Sequence, residues 1–552
     1  MARWVQSVLL LLLPLVLSGH AAVGMTEVRA EPVPGPIVQL KSGKVQGIIS
    51  DGVMLFKGIP YAGPVGGSHR WKAPQPASHW KGVLKANTDS PACAQPARYN
   101  LTENSEVENC LFLNVARPAV TSEQMKDQDL PVLVWIHGGA FAGGSSVLYR
   151  IDKLARQLNA VVVTFNYRLG VFGFMAHPAF DKASNGSYAL LDQQLAMKWV
   201  KDNISAFGGD PNNITLAGES AGASAVCIHL AVPEHTKGLF HKAIMTSAAC
   251  SFALRDLQKG YEFGQKVAAK VGCDKASDVV GCLRRVPVGK LVAAGEQVAG
   301  SDLMAYTPVY GSQVVPRMPR ESLDAGKILK VPVLYGGTRD ELRLYVGYDV
   351  QVGNPVTHEN FAQKLAHIYG GHAKDVLDRY PLRPEDSPPA LLGTIMTHFH
   401  PAVGLNHCQY VDTAKLLSRH VPVFMIEFAD RDVPVLGVSI PAEPDPGFEL
   451  GAAHSSDLNY FFPNFSNTSR MDAPDLNPDS QAMADNVIEA WGRFMRTGIV
   501  SADNLPQWLP FNMSNEALRV QAREARMIDP FLEANCDFWR KLYPSAFSVL
   551  TE

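Results

Sequence analysis

The sequence predicts an α/β fold with a large, mostly parallel central sheet, and three features of the 552-residue chain lead to it. Residues 214–217 (Ile-Thr-Leu-Ala) run apolar into Gly218-Glu219-Ser220-Ala221-Gly222, and a small-residue stretch follows, Ala223, Ser224, Ala225 and Val226. Residues 133–136 (Leu-Val-Trp-Ile) end just as abruptly in His137-Gly138-Gly139-Ala140-Phe141-Ala142-Gly143-Gly144. Further strand-like runs stand at 331–335 and 423–428. Continuous apolar runs of this length mark strands buried on both faces, as in a sheet covered by helices.

In chain order, the first element is an export signal. Met1-Ala2-Arg3-Trp4 supplies a positive start, residues 8–17 an apolar core broken only by Pro14, and Ser18, Gly19, Ala21, Ala22 and Gly24 the small residues of a cleavage site. Ten apolar positions are too few for a bilayer span, which takes about 20, and no cysteine follows to accept lipid. The expectation is a signal peptide over residues 1–24, cut between Ala21 and Gly24, and a secreted or periplasmic protein.

The segment after residues 133–136 has the composition of an oxyanion-binding loop. Acyl transfer needs amides aimed at the oxygen that becomes negative, and glycines let the backbone approach it. The turn at Ser220 has the form of a nucleophile elbow, in which a serine between two glycines is pushed out at a strand-to-helix turn. These segments predict Ser220 as nucleophile and the amides of Gly138, Gly139 and Ala221 as oxyanion donors. Each motif alone is also what a glycine-rich turn produces; their order and strand context carry the reading.

A wider set of motifs extends it. Gly58-Ile59-Pro60-Tyr61-Ala62, Arg70, Pro74-Gln75-Pro76, Cys110-Leu111-Phe112-Leu113-Asn114-Val115, Asn166-Tyr167-Arg168-Leu169-Gly170 and Phe207-Gly208-Gly209-Asp210-Pro211 occur, with the serine pentapeptide, in one order. From about residue 36 to the C-terminus the chain resembles the type-B carboxylesterases, the cholinesterase-like group of α/β-hydrolases. The resemblance implies one α/β-hydrolase domain over 32–552, with insertions forming a gorge over the serine. It also implies hydrolysis of small to medium carboxylic esters through a covalent acyl-enzyme, with no metal or organic cofactor.

In α/β-hydrolases the acid and then the histidine follow the serine. Gly336-Gly337-Thr338-Arg339-Asp340-Glu341-Leu342, after the 331–335 run, is similar to the segment carrying the acid at the second of two carboxylates, which implies Glu341. Asp340 remains its rival, because either carboxylate on that turn could orient an imidazole. Gly451-Ala452-Ala453-His454-Ser455-Ser456-Asp457 resembles the histidine segment, which makes His454 the base among 16 histidines.

The resemblance further implies disulfides Cys93–Cys110, Cys273–Cys282 and Cys408–Cys536, and buried ion pairs Arg70–Glu108 and Arg168–Asp192. Cys227 and Cys250 are expected to be free and buried, with a bridge between them as the alternative. Eight cysteines agree with an oxidising compartment. His398, His400 and His407 have a metal-site look, but no fourth ligand is evident and packing or substrate contact is the expectation. Glu219 either tunes His454 or anchors the loops beneath it.

Substrate signals are thinner. The loop between Cys93 and Cys110 holds one tyrosine and no tryptophan, so the aromatic face that a quaternary amine requires is missing and acetylcholine is not expected. Pro308-Val309-Tyr310-Gly311 and Leu342 depart from the family pattern, at places the resemblance puts near the pocket. Arg339 and Arg343 flank the acid; they could draw an anionic ester, though solvated surface arginines are the plainer reading.

A formal net charge of -3, with 46% hydrophobic and 19% charged residues, describes globular material without a basic field for nucleic acid or anionic membrane. No membrane span is expected, and the sequence leaves monomer or dimer open. Seven Asn-x-Ser/Thr sequons bear on the surface only in a eukaryotic secretory pathway. An acyltransferase or lyase would use the same three residues, whereas a non-catalytic adhesion protein of this fold would be expected to lack one.

Overall fold

The computed structural model describes residues 31–97, 104–126, 128–251, 254–302, 304–434, 446–465 and 473–547. The expected signal peptide, residues 1–24, and the middle of the Cys93–Cys110 loop lie outside them. Fifteen strands follow in order: β1 (Val33–Gln39), β2 (Lys44–Ser50), β3 (Val53–Pro60), β4 (Val83–Lys85), β5 (Phe112–Pro118), β6 (Leu130–Ile136), β7 (Val161–Phe165), β8 (Gly209–Glu219), β9 (Lys242–Thr246), β10 (Arg255–Asp256), β11 (Val309–Tyr310), β12 (Val333–Thr338), β13 (Val423–Phe428), β14 (Ala517–Val520) and β15 (Ala525–Ile528).

Thirteen of them form one sheet, ordered β1-β2-β3-β5-β7-β6-β8-β9-β12-β13-β14-β15, with β4 beside β2. From β7 to β14 neighbouring strands run parallel, and the two flanks are antiparallel except for β4, which runs parallel to β2. The pair β10–β11 stands apart. The fold is that of the α/β-hydrolases, as the motif order leads one to expect.

The apolar runs are explained by what covers the sheet. In β6, Val132, Val134 and Ile136 enter one core cluster while Leu133 and Trp135 enter another. The same alternation divides Val423 and Met425 from Phe424, Ile426 and Phe428 in β13. Successive side chains point to opposite faces, and both faces are buried, so no polar residue is called for at every second position.

One face carries the helices Tyr188–Asn203, Ala221–Ala231 and His407–Ser418. The other carries Ile151–Leu158 and Pro478–Thr497. The 20-residue helix Pro478–Thr497 starts where its sequence dictates. The Asn477 side chain accepts from the amides of Asp479 (3.0 Å) and Ser480 (2.9 Å), and Pro478 occupies the first turn, where no amide donor is missed.

Four disulfides occur among the described residues. Cys93–Cys110, Cys273–Cys282 and Cys408–Cys536 join the expected pairs. Cys227 and Cys250 are not free: they are bonded, with Cα atoms 5.7 Å apart. The helix after Ser220 and the segment after β9 pack side by side, which brings together two cysteines whose separation of 23 residues says nothing of the kind. Cys408–Cys536 closes the longest loop, 128 residues. In the chain-entropy account, a loop of that size contributes about 5 kcal/mol by restricting the unfolded chain.

The implied ion pairs also form. Arg168 and Asp192 meet at 2.7 Å with side chains 3% and 0% exposed. Arg70 meets Glu108 through two hydrogen bonds of 2.5 and 2.9 Å. Losing either partner of the fully buried pair would strand a charge in the core.

Candidate active site

β8 ends at Glu219, and the next helix begins at Ala221, so Ser220 alone makes the turn. Its backbone sits at φ 56°, ψ -125°, a conformation that costs a non-glycine residue about 1–3 kcal/mol. The flanking glycines are sterically required: a Cβ on Gly222 would collide with the Ile136 carbonyl oxygen, and one on Gly218 with the Gly222 backbone. The strand, the turn and the helix are thereby packed backbone against backbone, with the serine side chain turned outward.

Two further parallel strands, β12 and β13, lead to the other groups. Glu341 lies three residues past β12, fully buried. His454 lies on a loop beyond β13, 3% exposed. His454 Nε2 is 2.9 Å from Ser220 Oγ, and His454 Nδ1 is 2.6 Å from Glu341 Oε2. The second Glu341 oxygen accepts from the Thr338 amide (2.9 Å) and the Tyr410 hydroxyl (3.0 Å). Thr338 and Tyr410 had no local signal in the sequence; Tyr410 reaches Glu341 across 69 residues.

The structure separates the two adjacent carboxylates. Asp340 points away from the imidazole and holds the loop that carries it. Its amide donates to the Ala452 carbonyl (2.9 Å), its carboxylate accepts from the Ala452 amide (3.0 Å), and Arg431 binds it at 3.0 and 3.1 Å. Arg343 completes the cluster at 3.3 Å. Arg343 is therefore no solvated surface arginine; its side chain is 12% exposed and donates to the Glu449 carbonyl and the Thr394 hydroxyl.

Charge is concentrated around the histidine. Burial alone would push the imidazole of His454 down, but Glu219 and Glu341 hold it up, to about 9. Burial pushes Glu341 up in turn, and the charge of His454 with its hydrogen bond brings it below the usual carboxylate range. Glu219 is raised by burial; its Oε1 accepts from Ser455 Oγ at 2.6 Å and stands 3.3 Å from His454 Nε2. Glu219 thus does both things the sequence left open, anchoring the loop and facing the imidazole. Asp457, which the sequence reading did not single out, is raised well above its usual range by burial, with Glu219 and Glu341 adding to the effect.

Gly138 and Ala140 stand differently toward the cavity. The Gly138 amide already has the Tyr149 hydroxyl as acceptor at 3.4 Å, and Gly138 is not on the cavity wall. Ala140 is on that wall, at φ 52°, together with Ser220 and Ala221.

The cavity in front of Ser220 has a volume of about 460 Å³, counting its open mouth. Its wall is chiefly apolar, with Phe141, Ala248, Ala249, Met304, Tyr345 and Leu405. Among the described residues no arginine lines it. Thr307 reaches the wall, but the neighbouring Val309 and Tyr310 form β11, and Leu342 is buried at the cap of the helix Arg343–Gln351.

The rings of His398 and His407 stack with centroids 6.3 Å apart, and each histidine near 400 has a hydrogen-bond partner of its own. His398 meets the Tyr380 hydroxyl (2.9 Å), His407 the Thr338 carbonyl (2.9 Å), and His400 accepts from the Ala402 amide (3.1 Å). Burial pushes His398 down to about 3 and His400 to about 4. Among the described residues no group of three ligating side chains could hold a metal ion, and no helix is long and apolar enough to cross a membrane.

The profile of the carboxylesterase family matches residues 34–539. The chain is 33% identical over 525 residues to the para-nitrobenzyl esterase of Bacillus subtilis (strain 168), covering 92% of this chain and 99% of that protein. It is 30% identical over 508 residues to the phenmedipham hydrolase of Pseudarthrobacter oxydans, covering 89% and 95%. The crystal structure of the Geobacillus stearothermophilus carboxylesterase EST55 at pH 6.2 superposes with a TM-score of 0.76 at 30% identity, covering 91% of this chain and 99% of that one.

Proposed function

We propose, for a chain that belongs to the carboxylesterase family and is a carboxylic-ester hydrolase, that Ser220, His454 and Glu341 are its catalytic residues. The observation that carries the reading is the unbroken line from Ser220 Oγ through His454 to Glu341, at 2.9 and 2.6 Å. His454 takes the serine proton as Oγ attacks the ester carbonyl, and Glu341 holds the ring in the tautomer with its proton on Nδ1. The amides of Gly139, Ala140 and Ala221 receive the oxyanion. The alcohol leaves with the proton from His454, and water activated by the same imidazole then releases the acid from Ser220.

A neutral, apolar acid portion fits the cavity beside Ser220 best, because the described wall is chiefly apolar, with Phe141, Ala248, Ala249, Met304 and Leu405. Small to medium esters fit this description. A single hydrolase unit over 32–552, exported after loss of residues 1–24, accords with one continuous sheet and with four disulfides, which suit an oxidising compartment. The direct test is hydrolysis of p-nitrophenyl esters from acetate to decanoate together with fluorophosphonate labelling. Turnover with label on Ser220 is the expected result; label on another residue, or none, would overturn it.

The charges around His454 give a pH dependence. The base must be neutral to accept the serine proton, so kcat/KM rises with pH through the titration of His454. Because Glu219 and Glu341 hold that titration above the ordinary histidine value, the rising limb is expected on the alkaline side of 6.5, toward 9. In Glu219→Gln the carboxylate 3.3 Å from Nε2 is gone, and the limb should move to lower pH. A limb that stays in place would mean that Glu219 serves only to hold Ser455.

A further inference from the structure

Part of the wall beside Ser220 is positioned by a covalent link rather than by packing alone. Ala248 and Ala249 line the cavity and directly precede Cys250. Ser224 lines the same cavity and stands one helical turn before Cys227 in the helix Ala221–Ala231. Cys227 and Cys250 are bonded, 3% and 2% exposed, so the bridge ties the helix capped by Ser220 to the segment that carries the two alanines.

The Ser220 amide donates to the Thr246 carbonyl just before the segment (2.9 Å), while the anchors of residues 247–251 other than the bridge lead elsewhere. The Ser247 amide donates to the Gly336 carbonyl (2.8 Å) and the Tyr335 hydroxyl to the Ala248 carbonyl (2.8 Å), both in β12. Ser251 bonds Thr413 and Gln409 in the helix His407–Ser418. These hold the segment toward the acid side of the site, and the disulfide holds it toward the nucleophile helix. Alanine has no side chain that can swing aside, so the width of the cavity between Ser224 and residues 248–249 is a matter of backbone position.

We propose that the Cys227–Cys250 bridge is a specificity-determining clamp on the acyl group, fixing Ala248 and Ala249 so that the cavity takes short and medium acyl chains and turns away long ones. The proposal rests on Ser220 as the nucleophile. One methylene more or less in an apolar pocket changes the rate by about 10- to 200-fold, and on this proposal a wall released from its clamp would discriminate less.

The test uses the purified full chain, its Cys227→Ala/Cys250→Ala double variant and an Ala249→Val variant, each assayed on p-nitrophenyl acetate, butyrate and octanoate and each labelled with a fluorophosphonate. In the double variant the octanoate-to-acetate ratio of kcat/KM should rise about tenfold, chiefly through KM for octanoate. In Ala249→Val, with the bridge intact, the same ratio should fall by a similar factor. A double variant with a lowered Tm and an unchanged ratio would make the bridge merely structural and overturn the proposal. Should the double variant not fold, an unchanged ratio in Ala249→Val overturns it independently. Loss of Ser220 labelling in the parent chain would instead remove the reading beneath it.

Discussion

Ser220→Ala is expected to lower ester turnover by on the order of a millionfold, and His454→Ala by a similar factor. The double variant should be little worse than either single one. The reason is that the serine is a poor nucleophile until its proton has somewhere to go, and the imidazole 2.9 Å away has nothing to activate once the serine is gone. A residual rate above that of water should persist in all three, because the apolar cavity and the oxyanion amides are untouched. The measurement is kcat on p-nitrophenyl butyrate, with circular dichroism to show that the variants fold. Losses that multiply in the double variant would mean that the two residues do not act as one unit.

Glu341→Gln should cost about 10⁴-fold in kcat, with Asp340→Asn costing far less. Glutamine keeps the shape of the side chain, but its amide can present a donor where the carboxylate accepts from His454 Nδ1, which favours the wrong tautomer and leaves the imidazolium unsupported. Asp340 touches no atom of the imidazole; it holds Ala452, two residues before His454, and the guanidinium groups of Arg431 and Arg343. Asparagine can still accept from the Ala452 amide, so the histidine loop keeps one anchor while the ion pairs weaken. The loss should appear as reduced thermal stability and a modest fall in kcat. Equal losses in the two variants would undo the distinction between a carboxylate that bonds the base and one that bonds its loop.

Much of this was legible before any tertiary contact was known. The turn at Ser220 is a local matter: strand, two glycines and helix are all encoded within about a dozen residues, and the steric demand at Gly218 and Gly222 leaves few alternatives. The apolar runs of β6, β8, β12 and β13 marked a covered parallel sheet, because a strand buried on both faces has no use for alternation. The chain order of serine, acid and histidine then named the segments in which Glu341 and His454 should be sought.

What could not be read were relations between distant segments. Two carboxylates side by side in the chain are chemically alike, and only the placement of Ala452 and Arg431 against one, and of His454 against the other, separates Asp340 from Glu341. The oxyanion loop was read by its glycines, and only the fold brings the Tyr149 hydroxyl to 3.4 Å from the Gly138 amide and sets a left-handed Ala140 on the cavity wall. Cys227 and Cys250 were read as free because 23 residues of spacing carry no geometry, and it is the packing of a helix against the segment after β9 that joins them. Local backbone chemistry and strand burial follow from short stretches of sequence, so the motifs and the covered sheet were readable. Which side chains meet across 69, 113 or 234 residues depends on how the whole sheet orders its strands, and that is decided only when the chain is folded.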